Sequence, residues 1–178
     1  FAALAMRSLT HFIEEVLVGN IIRYINYGFY VVFPAVGFLL VYLVKKYVIR
    51  KDVSHGIPSI LYAVAKQKGI MKRFQAYGSL LTAPITIGFG GSVGLEGPMV
   101  VTGAGISSQI ARLFHINQSD RMLLLACACA AALAAIFKVP LAGILFAIEV
   151  FGLDLTLSSL LPLFVASLSG VLISYLFF

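Results

Sequence analysis

The sequence predicts an all-α, polytopic membrane protein in which short, broken helices stand among long ones. Three observations carry the prediction. Hydrophobic residues make up 61% of the chain and charged residues 11%, with a mean hydropathy of +1.02, far outside the range of a soluble domain. Uncharged apolar stretches such as Tyr27–Val44 and Leu155–Phe178 are about the length that crosses a bilayer. A Gly/Pro break followed by a short helix recurs at Gly56-Ile57-Pro58, Gly97-Pro98 and Val139-Pro140. At about 20 residues per span, 178 residues hold several helices and no soluble domain besides, so residues 1–178 read as a single multi-pass transmembrane domain, expected in the cell (inner) membrane.

In chain order, Phe1–Val18 reads as the latter part of a helix, with Arg7, His11, Glu14 and Glu15 near i, i+4 spacing, ending at Gly19-Asn20. Its charges, without a basic start and apolar centre, do not suit a signal peptide. The chain opens at Phe1 inside an apolar segment and closes inside another, which reads as a piece cut from a longer protein. Tyr27–Val44 is the clearest span, with Pro34 and Gly37 tolerated as they are in membrane helices. Lys45, Lys46, Arg50 and Lys51 follow it, and Lys66, Lys68, Lys72 and Arg73 precede the next long helix, so both loops are assigned to the cytoplasmic side. Between them, Ile57–Gln67 is too short to cross. Phe74–Phe89 is a helix expected to be interrupted at Pro84. Gly97–Phe114 leaves the glycine-rich stretch and closes on Arg112 and His115, a basic end that suits a C-terminus. Ser119 or Asp120 is the expected N-cap of Met122–Phe137, whose alanines predict a central, closely packed helix. Leu141–Val150 is short and apolar, and Leu155–Phe178 is the final span.

The stretch Gly90-Gly91-Ser92-Val93-Gly94-Leu95-Glu96-Gly97-Pro98 organises the rest. It sets one carboxylate inside an otherwise charge-free run from Phe74 to Ala111. An ionisable group at membrane depth costs on the order of 2 kcal/mol or more, so it faces a watery path or a partner. Glycines let the backbone turn and its N–H groups approach a ligand, and Gly97-Pro98 suits the opening of a helix. A helix starting at Glu96 would aim its positive end and unpaired N–H groups at an anion site with an acid in its mouth.

Other classes fit less well. The basic loops lack interleaved aromatics for base stacking, so no nucleic-acid partner is expected. Gly88–Gly97 lacks the Gly-Lys-Ser/Thr ending of a phosphate loop, which argues against a nucleotide-binding enzyme. Cys127 and Cys129 point about 200° apart on a helix, which prevents a disulfide, and neither has a His or acidic neighbour for a metal. Neither enzymatic activity, cofactor nor metal is expected.

Gly94-Leu95-Glu96-Gly97-Pro98 resembles the G(K/R)EGP motif of the CLC family of chloride channels and chloride/proton antiporters. Ser54-His55-Gly56-Ile57-Pro58 resembles that family's GSGIP motif, and Lys138 to Glu149 resembles its segment leading into a glutamate. The resemblance implies tilted, partly re-entrant helices forming one half of a CLC-type inverted repeat. The second repeat is absent from this sequence, so the C-terminal repeat of the same subunit becomes an implied partner, along with the lipid bilayer and a second subunit of a homodimer.

Carried over position by position, Glu96 would be the gate and proton-transfer group. The backbone of Leu95, Glu96 and Gly97 would line an outer site for chloride or a similar small anion, and Ser54, His55, Gly56 and Ile57 a central one. Either Ser54 or His55 takes the place of the motif's serine; an imidazole N–H donates to an anion as a hydroxyl does, or the histidine merely caps the break. Leu95 stands where a basic residue is usual. Glu149 matches the first of a glutamate pair and is a candidate for an inner proton path, while Val150 occupies the place of the inner proton acceptor. That departure favours a channel or weakly coupled transporter over a strict chloride/proton antiporter. A fluoride exporter of the same fold and a non-conducting structural half-subunit are the alternatives.

Overall fold

The computed structural model describes residues 2–20, 32–50 and 56–177, except for the side chains of 17–20 and 32. Its elements are α1 (Ala2–Asn20), α2 (Val32–Val44) with a π-helical turn Lys45–Ile49, α3 (Ile57–Lys66), α4 (Arg73–Gly88), α5 (Glu96–Leu113), α6 (Gln118–Phe137), α7 (Pro140–Phe151) and α8 (Leu157–Phe177). Among the described residues there is no strand. Among the described residues two helices, α6 and α8, are long and apolar enough to cross a membrane. Large side chains such as Phe38, Leu39, Leu145, Leu172 and Leu176 are exposed on the outer faces, an arrangement that lipid tolerates and water does not.

Helix α6 is the post around which the others stand. The alanine run gives it a thin surface, and one glycine from each of three neighbours closes on it. An added Cβ at Gly103 of α5 would come within 3.1 Å of the Ala128 carbonyl oxygen. At Gly143 of α7 it would overlap the Ala130 oxygen, and at Gly170 of α8 it would lie 2.5 Å from the Ala131 oxygen. Such close approach gives dispersion and Cα–H···O contacts where no hydrophobic force drives helices together. Cys129 is fully buried in this seam and Cys127 half-buried, in keeping with packing roles.

The contacts also fix direction. Thr102 donates to the Ala76 carbonyl (3.2 Å) and Arg73 Nε to Gln109 Oε1 (3.2 Å), so α4 and α5 are antiparallel. The connections 114–117 and 138–139 are too short for anything but a reversal, so α5 and α6 are antiparallel, as are α6 and α7, with Gly103 set against Ala128 and Ala132 and Gly143 against Ala130 and Ala134. Ser174 donates to the Ala135 carbonyl (2.8 Å) while Gly170 lies against Ala131, which sets α8 parallel to α6.

Two expectations need correction. Pro84 does not interrupt α4, which runs through it to Gly88 with the proline buried. Thr82 and Thr86 hydroxyls donate back to the Gly78 and Thr82 carbonyls (2.8 and 2.9 Å) in the turns on either side of it. Helix α6 begins at Gln118, with Asn117 as N-cap and no side-chain cap bond, rather than after Ser119 or Asp120. Arg121 instead anchors the entry, donating from Nη2 to the Ile116 carbonyl (2.9 Å) and from Nη1 to that of Lys68 (3.3 Å).

Candidate functional site

Helix α4 ends at Gly88, and the glycine stretch then reverses the chain. Gly90 takes φ +81, and Gly91 donates to the Thr86 carbonyl (2.8 Å) at a point where a Cβ would lie 2.6 Å from that same oxygen. Val93 donates to the Gly91 carbonyl (2.9 Å), Leu95 caps α5, and the helix begins at Glu96 as its sequence predicts. The first bond of α5 is Met99 N–H to the Leu95 carbonyl (3.0 Å), so the Glu96 and Gly97 N–H groups have no partner within the helix. Pro98, with no N–H, follows them.

Helix α3 repeats this arrangement. Gly56 adopts φ +88 and ψ −177, open in practice to glycine alone, and its carbonyl accepts from the Ser59 hydroxyl (2.8 Å) and N–H (3.2 Å). Ile57 then opens the helix ahead of Pro58. Ser54 and His55 lie outside the described residues.

The two helix starts meet. A Cβ placed on Gly97 would stand 3.7 Å from the Gly56 Cα, so backbone meets backbone at N-termini 41 positions apart in sequence (97 − 56 = 41). From there α3 and α5 run the same way. Ile60 and Ala63 share a core with Val100, Val101 and Ala104, and beyond α3 the Gly69 carbonyl accepts from Ser108 (3.0 Å). With roughly half a positive charge at each N-terminus, an anion about 5 Å from both would gain about 3 kcal/mol at an effective dielectric of about 20. Without an anion, the two ends repel one another.

Glu96 stands at that place. Its side chain is exposed and has no ion-pair or hydrogen-bond partner among the described residues. It folds back over Gly94, where an added Cβ would overlap Oε2 and lie 3.1 Å from Cδ. Gly94 therefore supplies the room for this position of the carboxylate. The sequence reading did not count it among the site residues, although a glycine two places before the acid was the available signal. Leu95 turns the other way and packs with Met6, Ala83 and Met99, so only its backbone is available to the site.

Glu149 is not brought to this place. It is exposed on α7, near the helix's C-terminal end. Gly143 sits level with Ala130–Ala134 and Val100 with Cys129, and both helices run against α6, which puts Glu149 roughly 10 Å nearer the basic end of the bundle than Glu96, at about 1.5 Å per residue along α6. Its neighbour Val150 packs against the core.

The architecture and site define a class: an all-α bundle in which short helices converge N-terminus to N-terminus beside one carboxylate that is unpaired among the described residues. The family model described as voltage gated chloride channel matches residues 36–178. The chain therefore belongs to the voltage-gated chloride channel (CLC) family, and with it to the integral membrane proteins. It is 28% identical to the ClcB-like chloride channel protein of Ralstonia nicotianae over 149 residues, 82% of this chain and 35% of that protein. It is 30% identical to the chloride/fluoride channel protein of Pseudomonas syringae pv. tomato over 123 residues, 68% of this chain and 27% of the relative. It is 49% identical to the H(+)/Cl(-) exchange transporter ClcA of Cronobacter sakazakii over 65 residues, 36% of this chain and 14% of that one. The chain thus spans about a third or less of the length of these relatives.

Proposed function

We infer that this chain supplies one half of a transmembrane anion path in which Glu96 is the gate. The observation that carries the reading is the meeting of the α3 and α5 N-termini at Gly56 and Gly97, beside a carboxylate that has no cationic partner among the described residues. In the closed arrangement the Glu96 carboxylate competes with chloride for the N–H groups at the head of α5. Protonation removes its charge and lets it leave, and the anion takes the donors. Backbone of Leu95, Glu96 and Gly97 forms the outer site, and Gly56 with Ile57, preceded by Ser54 and His55, forms the central one. The exposed face at Glu96 is covered by the C-terminal repeat of the same subunit, and the subunits pair as homodimers in the cell membrane. The basic end of the bundle faces the cytoplasm.

Val150 favours a channel or a weakly coupled transporter. An apolar side chain packed against the core cannot take up the inner proton of an antiport cycle, and exposed Glu149, on the cytoplasmic side of the gate, is left as the candidate for that step. A strict antiporter, as the exchange transporter's name would suggest, or a fluoride carrier, as the chloride/fluoride relative's name would suggest, remains the alternative reading of the same site.

The test is chloride efflux from liposomes holding the full-length protein, with proton movement recorded together. Glu96→Gln is expected to raise flux and abolish its dependence on pH. Unchanged rate and pH dependence in both Glu96→Gln and Glu96→Ala would remove the gate from the account, and proton uptake driven by a chloride gradient would replace the channel with an antiporter.

A further inference from the structure

Away from the anion site, where the first turn of α4 meets the last turn of α5, a cleft of about 470 Å³ is lined by Arg73, Arg112, His115, Gln109, Tyr77 and Leu113. The cleft is built rather than incidental. Gln109 Nε2 donates to the Met71 carbonyl (3.0 Å) and its Oε1 accepts from Arg73 Nε (3.2 Å), so the guanidinium is braced with its two outer nitrogens still available. Among the described residues no carboxylate lines the cleft, and neither Arg73 nor Arg112 has an acidic partner.

The rim has the opposite character. Leu113 is 75% exposed, its neighbour Phe114 71% and Tyr77 63%. Paired cations with an apolar rim at the end of membrane helices call for a ligand with a phosphate and a hydrocarbon tail. We propose that this cleft binds the phosphate headgroup of an anionic phospholipid, with Arg73, Arg112 and His115 on the phosphate and Tyr77, Leu113 and Phe114 along the acyl chain. Inorganic phosphate would satisfy only the cations. The other basic residues gathered at this end, Lys68 and Lys72 among them, favour an anionic leaflet in the same way, at a strength of about tenfold per one or two charges.

Native mass spectrometry of the full-length protein, delipidated in detergent and titrated with phosphatidylglycerol or phosphatidylcholine, tests the assignment. Phosphatidylglycerol is expected to be retained at about tenfold lower concentration than phosphatidylcholine. Arg73→Gln with Arg112→Gln should erase that preference, and Arg112→Lys should keep most of it. Because Arg73 braces Gln109, the pair Arg112→Gln and His115→Gln, whose side chains make no hydrogen bond among the described residues, gives the same reading without disturbing the turn. Equal retention of the two lipids, a preference that survives Arg112→Gln with His115→Gln, or displacement of the lipid by inorganic phosphate at equal concentration would each overturn it.

Discussion

Replacing Gly94 by alanine isolates the position of the gate from its chemistry. Gly94 is absent from the positive-φ glycines, so alanine fits its backbone, and loss of unfolded-chain freedom would if anything stabilise the protein by about 0.4–1 kcal/mol. The new methyl would fall on the Glu96 Oε2 and 3.1 Å from its Cδ. The obstructing atoms end a flexible side chain, so the carboxylate moves and the backbone does not. Displacing it from a preferred rotamer costs about 1 kcal/mol, which shifts a closed-to-open ratio about fivefold. Chloride efflux from liposomes with the full-length Gly94→Ala protein should therefore rise about fivefold where the gate is mostly closed, with no loss of thermal stability. The same substitution in a Glu96→Ala background should do nothing. An equal rise in that background would show that Gly94 acts without Glu96 and refute the reasoning.

Other expectations concern the scaffold. Gly143→Ala drives a methyl into the Ala130 carbonyl oxygen, a backbone atom that cannot yield, and should lower stability by about 1–3 kcal/mol in detergent thermal unfolding; an unchanged midpoint would contradict the α6 seam. Ser108 accepts from Met71 N–H (2.8 Å) and donates to the Gly69 carbonyl (3.0 Å) while fully buried, so Ser108→Ala should cost about 1–3 kcal/mol by orphaning both. Gly56→Ala places a side chain at φ +88, ψ −177 and should cost about 1–3 kcal/mol and weaken anion flux together; loss of neither would mean that the α3 start tolerates other backbone conformations.

Much of this was written in the sequence because it is local. The Gly/Pro breaks ahead of α3, α5 and α7 act within one turn, and each marks the start of a helix within a residue or two of its expected place. The start of α5 at Glu96 follows from the same chemistry. The alanine run announced α6 as a packed centre, since small residues have few other uses in lipid. What stayed hidden depends on contacts remote in sequence. Nothing near Gly97 says that Gly56 will meet it, and nothing near Glu96 fixes a side chain that Gly94 accommodates. Leu95 reads as a missing charge until Met6, Ala83 and Met99 show it to be packing. Pro84 reads as a break because its cost is local, whereas the continuity of α4 through a buried site is decided by its neighbours. The π turn at Lys45–Ile49, closed by Arg50 in the left-handed region, has no signature that propensity detects.

The central claim is that an anion sits where the α3 and α5 helix starts converge. Its most direct test is bromide anomalous diffraction from crystals of the full-length Glu96→Gln protein, in which the competing negative charge is removed. The account predicts a bromide peak within hydrogen-bonding reach of the Gly97 and Ile57 N–H groups. Ordered bromide elsewhere, with none between Gly56 and Gly97, would contradict it.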